Sequence, residues 1–269
     1  MPNLTIREEV NLVWFKRDLR LKDHQPLFHA NSYSIPTVLL YVFEPILLNA
    51  PTSDLRHFRF IWQSLQCMNN QLLNVQKTLT ICHGDIIEVL NKLNSVFTIQ
   101  TIFSTQETGI EITFNRDKEV NNWCEKNNIK WIEFPNGAII RGLKNRKSWS
   151  SNWEKVMHEP QFINKISELK IVDANSHFPD IKKFLSKEIF EINPNFQPGG
   201  ETFGERYLQS FLKHRYKYYS SGISKPINSR KSCSRLSPYL AYGNLSMRQV
   251  YQETIFTLDK TENKRPLYN

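Results

Sequence analysis

Residues 233–246, Cys233-Ser-Arg-Leu-Ser-Pro-Tyr-Leu-Ala-Tyr-Gly-Asn-Leu-Ser, join two hydroxyls (Ser234, Ser237) and a guanidinium (Arg235) to the signature of a helix start at Ser237-Pro238. Serine is a good N-cap, and proline loses nothing at the first helical position because its N–H would be unpaired there anyway. Free backbone N–H groups, the positive end of a helix dipole and a fixed cation together suit a diphosphate. Upstream, Gln209 to Arg235 holds Lys213, Arg215, Lys217, Lys225, Arg230, Lys231 and Arg235 with no acidic residue. Tyr207, Phe211, Tyr216, Tyr218 and Tyr219 interleave with these charges. Such a stretch attracts phosphate, whether of a nucleotide or of a nucleic-acid backbone. A solvated basic face satisfies the same pattern.

A second charged run, Lys16, Arg17, Asp18 and Arg20, directly follows the apolar segment Val10–Phe15. If that segment is a buried strand, these charges lie at the carboxyl edge of a sheet, where α/β folds bind ligands. Other familiar chemistry is missing from the sequence. No G-x-G-x-x-G follows the first strand and no Walker motif occurs. The four cysteines, Cys67, Cys82, Cys124 and Cys233, form no C-x-x-C pair, so they read as buried or idle thiols in a reducing compartment.

The elements that must position these residues fall into two halves. Strand-like runs occur at Val10–Phe15, Thr37–Phe43, Leu79–Cys82, Thr101–Ser104 and Lys130–Phe134. Periodic segments lie between them, clearest at Leu55–Leu73 and Thr113–Lys126. This alternation predicts an α/β fold: a five-stranded parallel, Rossmann-like sheet with right-handed crossovers and helices on both faces, over residues 1–140. Residues 141–198 are basic and proline-punctuated, and read as an interdomain linker with short helices crossing the first domain's surface. Trp149 and Trp153 there share a helix face and are expected to pack. Residues 199–269 read as purely helical. Thr202 with Glu205 looks like a capping box for a helix closed by Gly222. Ser237 opens a second helix, and Ser246 with Gln249 a third that runs to about Leu258. Residues 1–140 hold 13 Lys/Arg against 14 Asp/Glu, whereas 141–269 hold 22 against 12, so the net +9 sits entirely in the second half. With 40% hydrophobic residues and 33 aromatics, the composition excludes a disordered chain. No apolar run spans a bilayer and no leader pattern opens the chain, so a cytoplasmic address is expected.

Trp14-Phe-Lys-Arg-Asp-Leu-Arg-Leu-Lys-Asp-His24 and Cys233–Ser246 resemble the two signature motifs of the photolyase/cryptochrome family, W-F-[RK]-x-D-L-R-L-x-D-[NH] and T-S-x-L-S-P-x-L-x-x-G-x-[LIV]-S. Gly199-Gly200-Glu201 and Arg248-Gln249-Val250 also look like family landmarks. The resemblance runs from about residue 10 to the end. It implies an antenna-binding α/β domain followed by the start of a helical FAD domain, with blue or near-ultraviolet light as co-substrate. Carried over by position, the FAD contacts present are Tyr219, Cys233, Ser234, Arg235, Leu236 and Ser237, with hydroxyls and backbone N–H groups on the diphosphate. DNA is the implied partner of the basic helical segment. Family members use the excited flavin either to repair pyrimidine dimers or to sense light.

Four departures qualify what the resemblance implies. Cys233 stands where the motif has Thr, exchanging a strong donor for a weak one. His24 stands where Asn is common, with no evident consequence. The loop at Thr105–Glu111 matches no single antenna type. Glu107 and Glu111 can bond a pterin or deazaflavin there, but a solvated loop is the plainer expectation. Finally, the family's helical domain extends well beyond residue 269, taking the isoalloxazine-facing residues and the electron-transfer tryptophans with it. The chain is therefore expected to be a fragment, a truncated reading frame or a degenerate member, with a partial FAD site and no repair activity alone. The competing expectation is a non-enzymatic nucleotide- or DNA-binding remnant.

Overall fold

A computed structural model describes residues 7–261. Five strands, β1 (Glu9–Phe15), β2 (Thr37–Phe43), β3 (Thr80–His83), β4 (Thr98–Thr105) and β5 (Lys130–Phe134), form one parallel sheet in the order β3-β2-β1-β4-β5. β1 is central between β2 and β4, and β2 is buried along its whole length, as a near-continuous β-branched and aliphatic run requires. The helices of this half are α1 (Gln25–Asn31), α2 (Pro45–Leu48), α3 (Leu55–Leu73), α4 (Ile86–Val96) and α5 (Glu111–Lys126). Strand pleating splits the core in two. Val13 and Phe15 join Leu27, Phe58, Ile61 and Leu65 on the α1/α3 face. Val10, Leu12 and Trp14 join Val89, Leu90, Val120 and Trp123 on the α4/α5 face.

Polar side chains cap α1, α3 and α4. Asp54 Oδ1 accepts from Arg56 N at 2.9 Å, and Asp85 Oδ1 from Ile87 N at 2.8 Å. His24 has a role that its sequence context hides. It is the N-cap of α1, its Nδ1 accepting from Leu27 N at 3.1 Å while Nε2 lies 2.8 Å from Asp18 Oδ2. Those two bonds assign the proton to Nε2, leaving a neutral imidazole beside an ionised carboxylate. Burial alone would raise the Asp18 carboxyl. The His24 contact and the bonds from His24, Thr105 and the Lys16 N–H outweigh burial and hold it well below the usual carboxylate range.

Residues 135–200 contain α6 (Trp149–His158) and 3₁₀ turns at Ile166–Glu168, Asn175–His177, Ile181–Lys183 and Lys187–Ile189. This segment does more than cross a surface. Leu169, Ile181, Leu185 and Ile189 close the α3 face of the core, Ala174 closes the other, and Ile171 bridges in parallel to Thr37. Trp153 meets Tyr251 edge-on at 5.0 Å, as interdomain packing predicts, but Trp149 is 45% exposed.

The remaining elements are α7 (Glu201–Lys213), a 3₁₀ turn (Arg215–Tyr218), α8 (Tyr219–Gly222), α9 (Pro226–Ser232), α10 (Ser237–Ala241) and α11 (Met247–Lys260). No strand lies here among the described residues. Three local readings need correction. α7 starts at Glu201 with Gly200 as its cap, so Thr202 and Glu205 form no capping box; Glu205 instead reaches Lys22 in the segment after β1. The helix stops at Lys213 rather than running to Gly222. Ser237 is the first residue of α10, with Leu236 as cap and no side-chain capping bond, and α10 is only five residues long. A helix that short adds little dipole, so any anion there depends on side chains and loop N–H groups. Ser246 does cap α11 as expected, accepting from Gln249 N at 2.9 Å.

The two signature motifs pack on each other. Leu19 N donates to Tyr242 O at 3.0 Å, Arg20 Nη1 to Gly243 O at 3.0 Å, and Asn244 Nδ2 to Leu19 O at 2.8 Å. Asp23 is 3% exposed and accepts from Ser246 Oγ, both Arg248 forks and Phe162 N, tying the sheet domain to the connector and α11. Buried Glu201 accepts from Leu21 N and Lys22 N at 3.3 Å. Much of the polar content of both motifs is therefore spent on joining the halves.

Candidate functional site

Two places combine concavity or unspent donors with charge. The first lies where α7, α8 and the 233–237 loop meet. Tyr207 and Phe211, one turn apart on α7, form its floor. The Arg215 guanidinium sits 5.7 and 5.8 Å from their rings, and Arg235 lies 6.0 Å over Tyr207. Tyr219 meets Phe211 edge-on at 5.9 Å. Tyr219 and Arg235, sixteen positions apart in the chain, thus share one aromatic floor.

Arg215, which in sequence is one charge among seven, is the strut of this site. It donates to the carbonyls of Cys233, Ser234 and Tyr207, the last at 2.7 Å. Gln197 Nε2 holds Arg235 O at 2.9 Å, and Arg235 itself takes a left-handed φ of 59°. With its carbonyls bound inward, the loop leaves its side chains free. Among the described residues, Tyr219 Oη, Ser234 Oγ, Ser237 Oγ and the Arg235 guanidinium have no hydrogen-bond or ion-pair partner, and the Cys233 thiol is free. Leu236 differs, because its side chain is buried in the cluster of Phe60, Leu208 and Tyr239, so it offers a ligand only backbone. Sequence reasoning missed Gln197, and it placed Arg215, Tyr207 and Phe211 in a phosphate-attracting stretch without assigning them to the site. The i, i+4 spacing of Tyr207 and Phe211 was the available signal. Nothing in sequence marks Arg215 as inward-facing.

The second place is a cavity of about 290 Å³ at the carboxyl ends of β1, β2 and β4. In the order β3-β2-β1-β4-β5 successive strands are added on one side of β1 up to β3 and on the other side from β4 onward, so the gap between β1 and β4 is the sheet's switch point. Tyr41, Phe43, Phe58, Ile61 and Tyr242 supply apolar wall, and Glu44, Glu107 and Arg116 supply charge. Arg116 pairs with Glu44 at 2.8 Å, Asp117 at 2.8 Å and Glu107 at 3.3 Å, and lies 4.9 Å over the Trp14 ring. Lys16 pairs with Asp117 at 3.0 Å and Glu133 at 3.7 Å. Burial pushes the Glu44 carboxyl up, and Arg116 pulls it only part of the way back. Glu107 is buried in this network, which overturns the expectation of a solvated loop; Glu111 is exposed.

The family model for DNA photolyase matches residues 11–145, which is half of the chain. The chain belongs to the DNA photolyase family. It is 28% identical over 278 residues to a cryptochrome DASH of Synechocystis sp., covering 90% of this chain and 53% of that protein. It is 22% identical to a deoxyribodipyrimidine photo-lyase of Buchnera aphidicola, covering 96% and 55%. The chain spans about half the length of the curated relatives it matches. Among solved structures, a Synechocystis cryptochrome aligns with TM-score 0.77 at 22% identity over 98% of this chain and 59% of that one. An archaeal photolyase from Sulfolobus tokodaii aligns with TM-score 0.70 at 22% identity over 96% and 57%. Both similarities establish the shared fold: a five-stranded parallel sheet with helices on its faces. No described helix is long and apolar enough to cross a membrane.

Proposed function

We propose that this chain supplies the diphosphate cradle of an FAD site in a light-driven photolyase or cryptochrome. The carrying observation is the set of unspent donors, Tyr219, Ser234, Arg235 and Ser237, held around one aromatic floor by Arg215. A built loop with its carbonyls tied back and its donors free fits a polyanion. Leu236 then serves through its backbone N–H, whereas the Cys233 N–H is bound to Ser229 O at 3.0 Å and leaves Cys233 only its thiol to offer. When bound, the flavin supplies the light-driven electron, while this chain's residues hold its phosphates. The switch-point cavity is proposed to take a second, light-harvesting chromophore. The Sulfolobus tokodaii structure supports this reading, since it holds two FAD molecules and implicates a novel light-harvesting cofactor. The division into an α/β domain (1–140), a connector (141–198) and the first part of an FAD domain (199–269) belongs to the same proposal.

Titrating FAD against the protein by visible absorption tests the cradle. A charge-assisted hydrogen bond contributes about 1.5–3 kcal/mol. Arg235→Ala, or Ser234→Ala with Ser237→Ala, is therefore expected to weaken FAD by about tenfold or more, while Cys233→Thr tightens it by adding a donor. Equal affinity of Arg235→Ala and wild type would refute the cradle.

A second reading, backbone contact with DNA, rests on Lys213, Lys217, Lys225, Arg230 and Lys231, all of which are exposed. Replacing Lys225, Arg230 and Lys231 with Ala is expected to make the salt dependence of DNA binding shallower by a log–log slope of about 3. FAD affinity should be unchanged. An unaltered slope would remove these side chains from any DNA contact.

A further inference from the structure

Asn136-Gly137 is the one Asn-Gly pair in the chain, and it lies in the turn between β5 and α6. Asparagine before glycine is a reactive pair, because the side-chain Cγ is an electrophile that the next backbone nitrogen reaches by closing a five-membered ring. Folding suppresses the reaction in two ways. A hydrogen bond to that N–H withholds the nucleophile, and hydrogen bonds to the side-chain amide fix Cγ out of reach.

The four Asn-Ser pairs, the least hindered after Asn-Gly, are all restrained in this fold. Ser32 N is bound to His29 O at 3.1 Å, and Ser229 N to Lys225 O at 2.8 Å. Ser95 lies inside α4, where its N–H belongs to the helix ladder, and Asn94 Oδ1 accepts from Ile99 N at 3.3 Å. Asn175 has both ends of its amide held, Oδ1 by Ile81 N at 3.2 Å and Nδ2 by Leu79 O at 3.1 Å.

Asn136 has neither restraint. Among the described residues, the Gly137 N–H donates to no group and the Asn136 side-chain amide has no partner. A Cβ added at Gly137 would meet no atom within 4 Å, so the turn is open on that side. Gly137 is exposed and takes a φ of 60°, which glycine adopts without strain. Asn136 and Gly137 also line an open cavity of about 540 Å³ in front of α6, which admits the water that the reaction consumes.

We propose that Asn136 is a self-modification site that converts, through a cyclic imide with Gly137, to aspartate and isoaspartate. The Gly137 nitrogen loses its proton to hydroxide and attacks Asn136 Cγ. The new N–Cγ bond forms as the Cγ–Nδ2 bond breaks, and Nδ2 leaves as ammonia with a proton from water. Water then opens the imide at either carbonyl, so the net change is one water taken up and one ammonia released, with nothing oxidised or reduced. Either product puts a carboxylate on the rim of the cavity. Isoaspartate also lengthens the main chain by one carbon just ahead of α6.

The test incubates the whole chain in mildly alkaline buffer and follows it by peptide mapping with mass spectrometry. The peptide holding residue 136 should exchange the mass of an amide NH₂ for that of a hydroxyl and split into two isomers. Its rate should be first order in hydroxide and close to that of a synthetic peptide spanning residues 132–140. Asn136→Gln should abolish the product, because a six-membered ring closes far more slowly. Gly137→Ala should slow it several-fold. Asn31, Asn94, Asn175 and Asn228 should stay intact in the native protein and convert only in urea. Asn136 outlasting the peptide by a wide margin would overturn the proposal. So would conversion of an Asn-Ser pair as fast as Asn136 in the native protein, a rate indifferent to hydroxide, or an unchanged rate in Gly137→Ala.

Discussion

Replacing Arg116 with Leu is expected to cost about 3–5 kcal/mol of folding stability at neutral pH, the usual result of stranding buried charge. Arg116 is the hub of the switch-point network, with Glu44, Asp117 and Glu107 all within 3.3 Å. Its side chain and those of the three carboxylates are almost wholly removed from water. In the variant Lys16 still faces Asp117, Lys16 and Arg141 still face Glu133, and among the described residues no cation pairs with Glu44. The pH dependence has a definite sign. Burial already raises Glu44 above its ordinary 4.5, and losing Arg116 raises it further. A carboxyl with a raised folded-state pKa contributes stability below its unfolded pKa and loses it as pH rises through the folded one. The deficit of Arg116→Leu should therefore shrink as pH falls from 7 toward 4.5. Urea unfolding of both proteins at pH 7 and pH 5 measures it. Arg116→Lys should recover part of the loss, since charge returns but the fork that holds three carboxylates does not. A deficit below about 1 kcal/mol, or one independent of pH, would mean that solvent already screens the network.

Gly243→Ala should be nearly as damaging, at about 2–4 kcal/mol, for a steric reason. Gly243 has φ of 65°, a conformation that costs an L-residue with a Cβ about 1–2 kcal/mol. An added Cβ would also lie 2.4 Å from Arg17 O and 2.5 Å from Asp18 Cα. Both are backbone atoms, so no rotamer change relieves the contact. The clash falls where Leu19, Arg20 and Asn244 bond the two motifs together. Thermal unfolding should show the loss, and hydrogen exchange should show early deprotection of Leu19 N–H. Wild-type stability in Gly243→Ala would mean that the two halves are not locked there.

The opening and closing motifs illustrate how chemistry and architecture share residues. Asp18, Arg20, Asp23 and Asn244 are polar, and sequence reasoning treats such residues as candidates for ligands. Each is instead consumed by a cap, a strut or an interdomain pair. Burial explains why: a polar group taken from water must find a partner, and at this junction the partners are protein. The residues that stay free are the hydroxyls and the guanidinium beyond Arg215, which is why the cradle rather than the first motif carries the functional reading.

The sequence by itself determined the parallel sheet, because alternating β-branched runs and helical stripes leave one economical arrangement of layers. Thr37–Phe43, Leu55–Leu73 and Lys130–Phe134 have the same bounds in sequence and structure, the first a strongly apolar run, the second a long helical stripe and the third a short run rich in aromatic and β-branched residues. It also marked the loop proposed above as the cradle, since Ser, Arg and Ser-Pro are local signals. Tertiary structure alone decided where α7 ends, that Arg215 turns inward and that Glu107 is buried. It also placed an open cavity in front of α6. Those outcomes depend on which distant backbone groups need a partner and which helix face finds one. Such pairings join residues tens to hundreds of positions apart, as Asp23 with Arg248 does, and no local pattern encodes them.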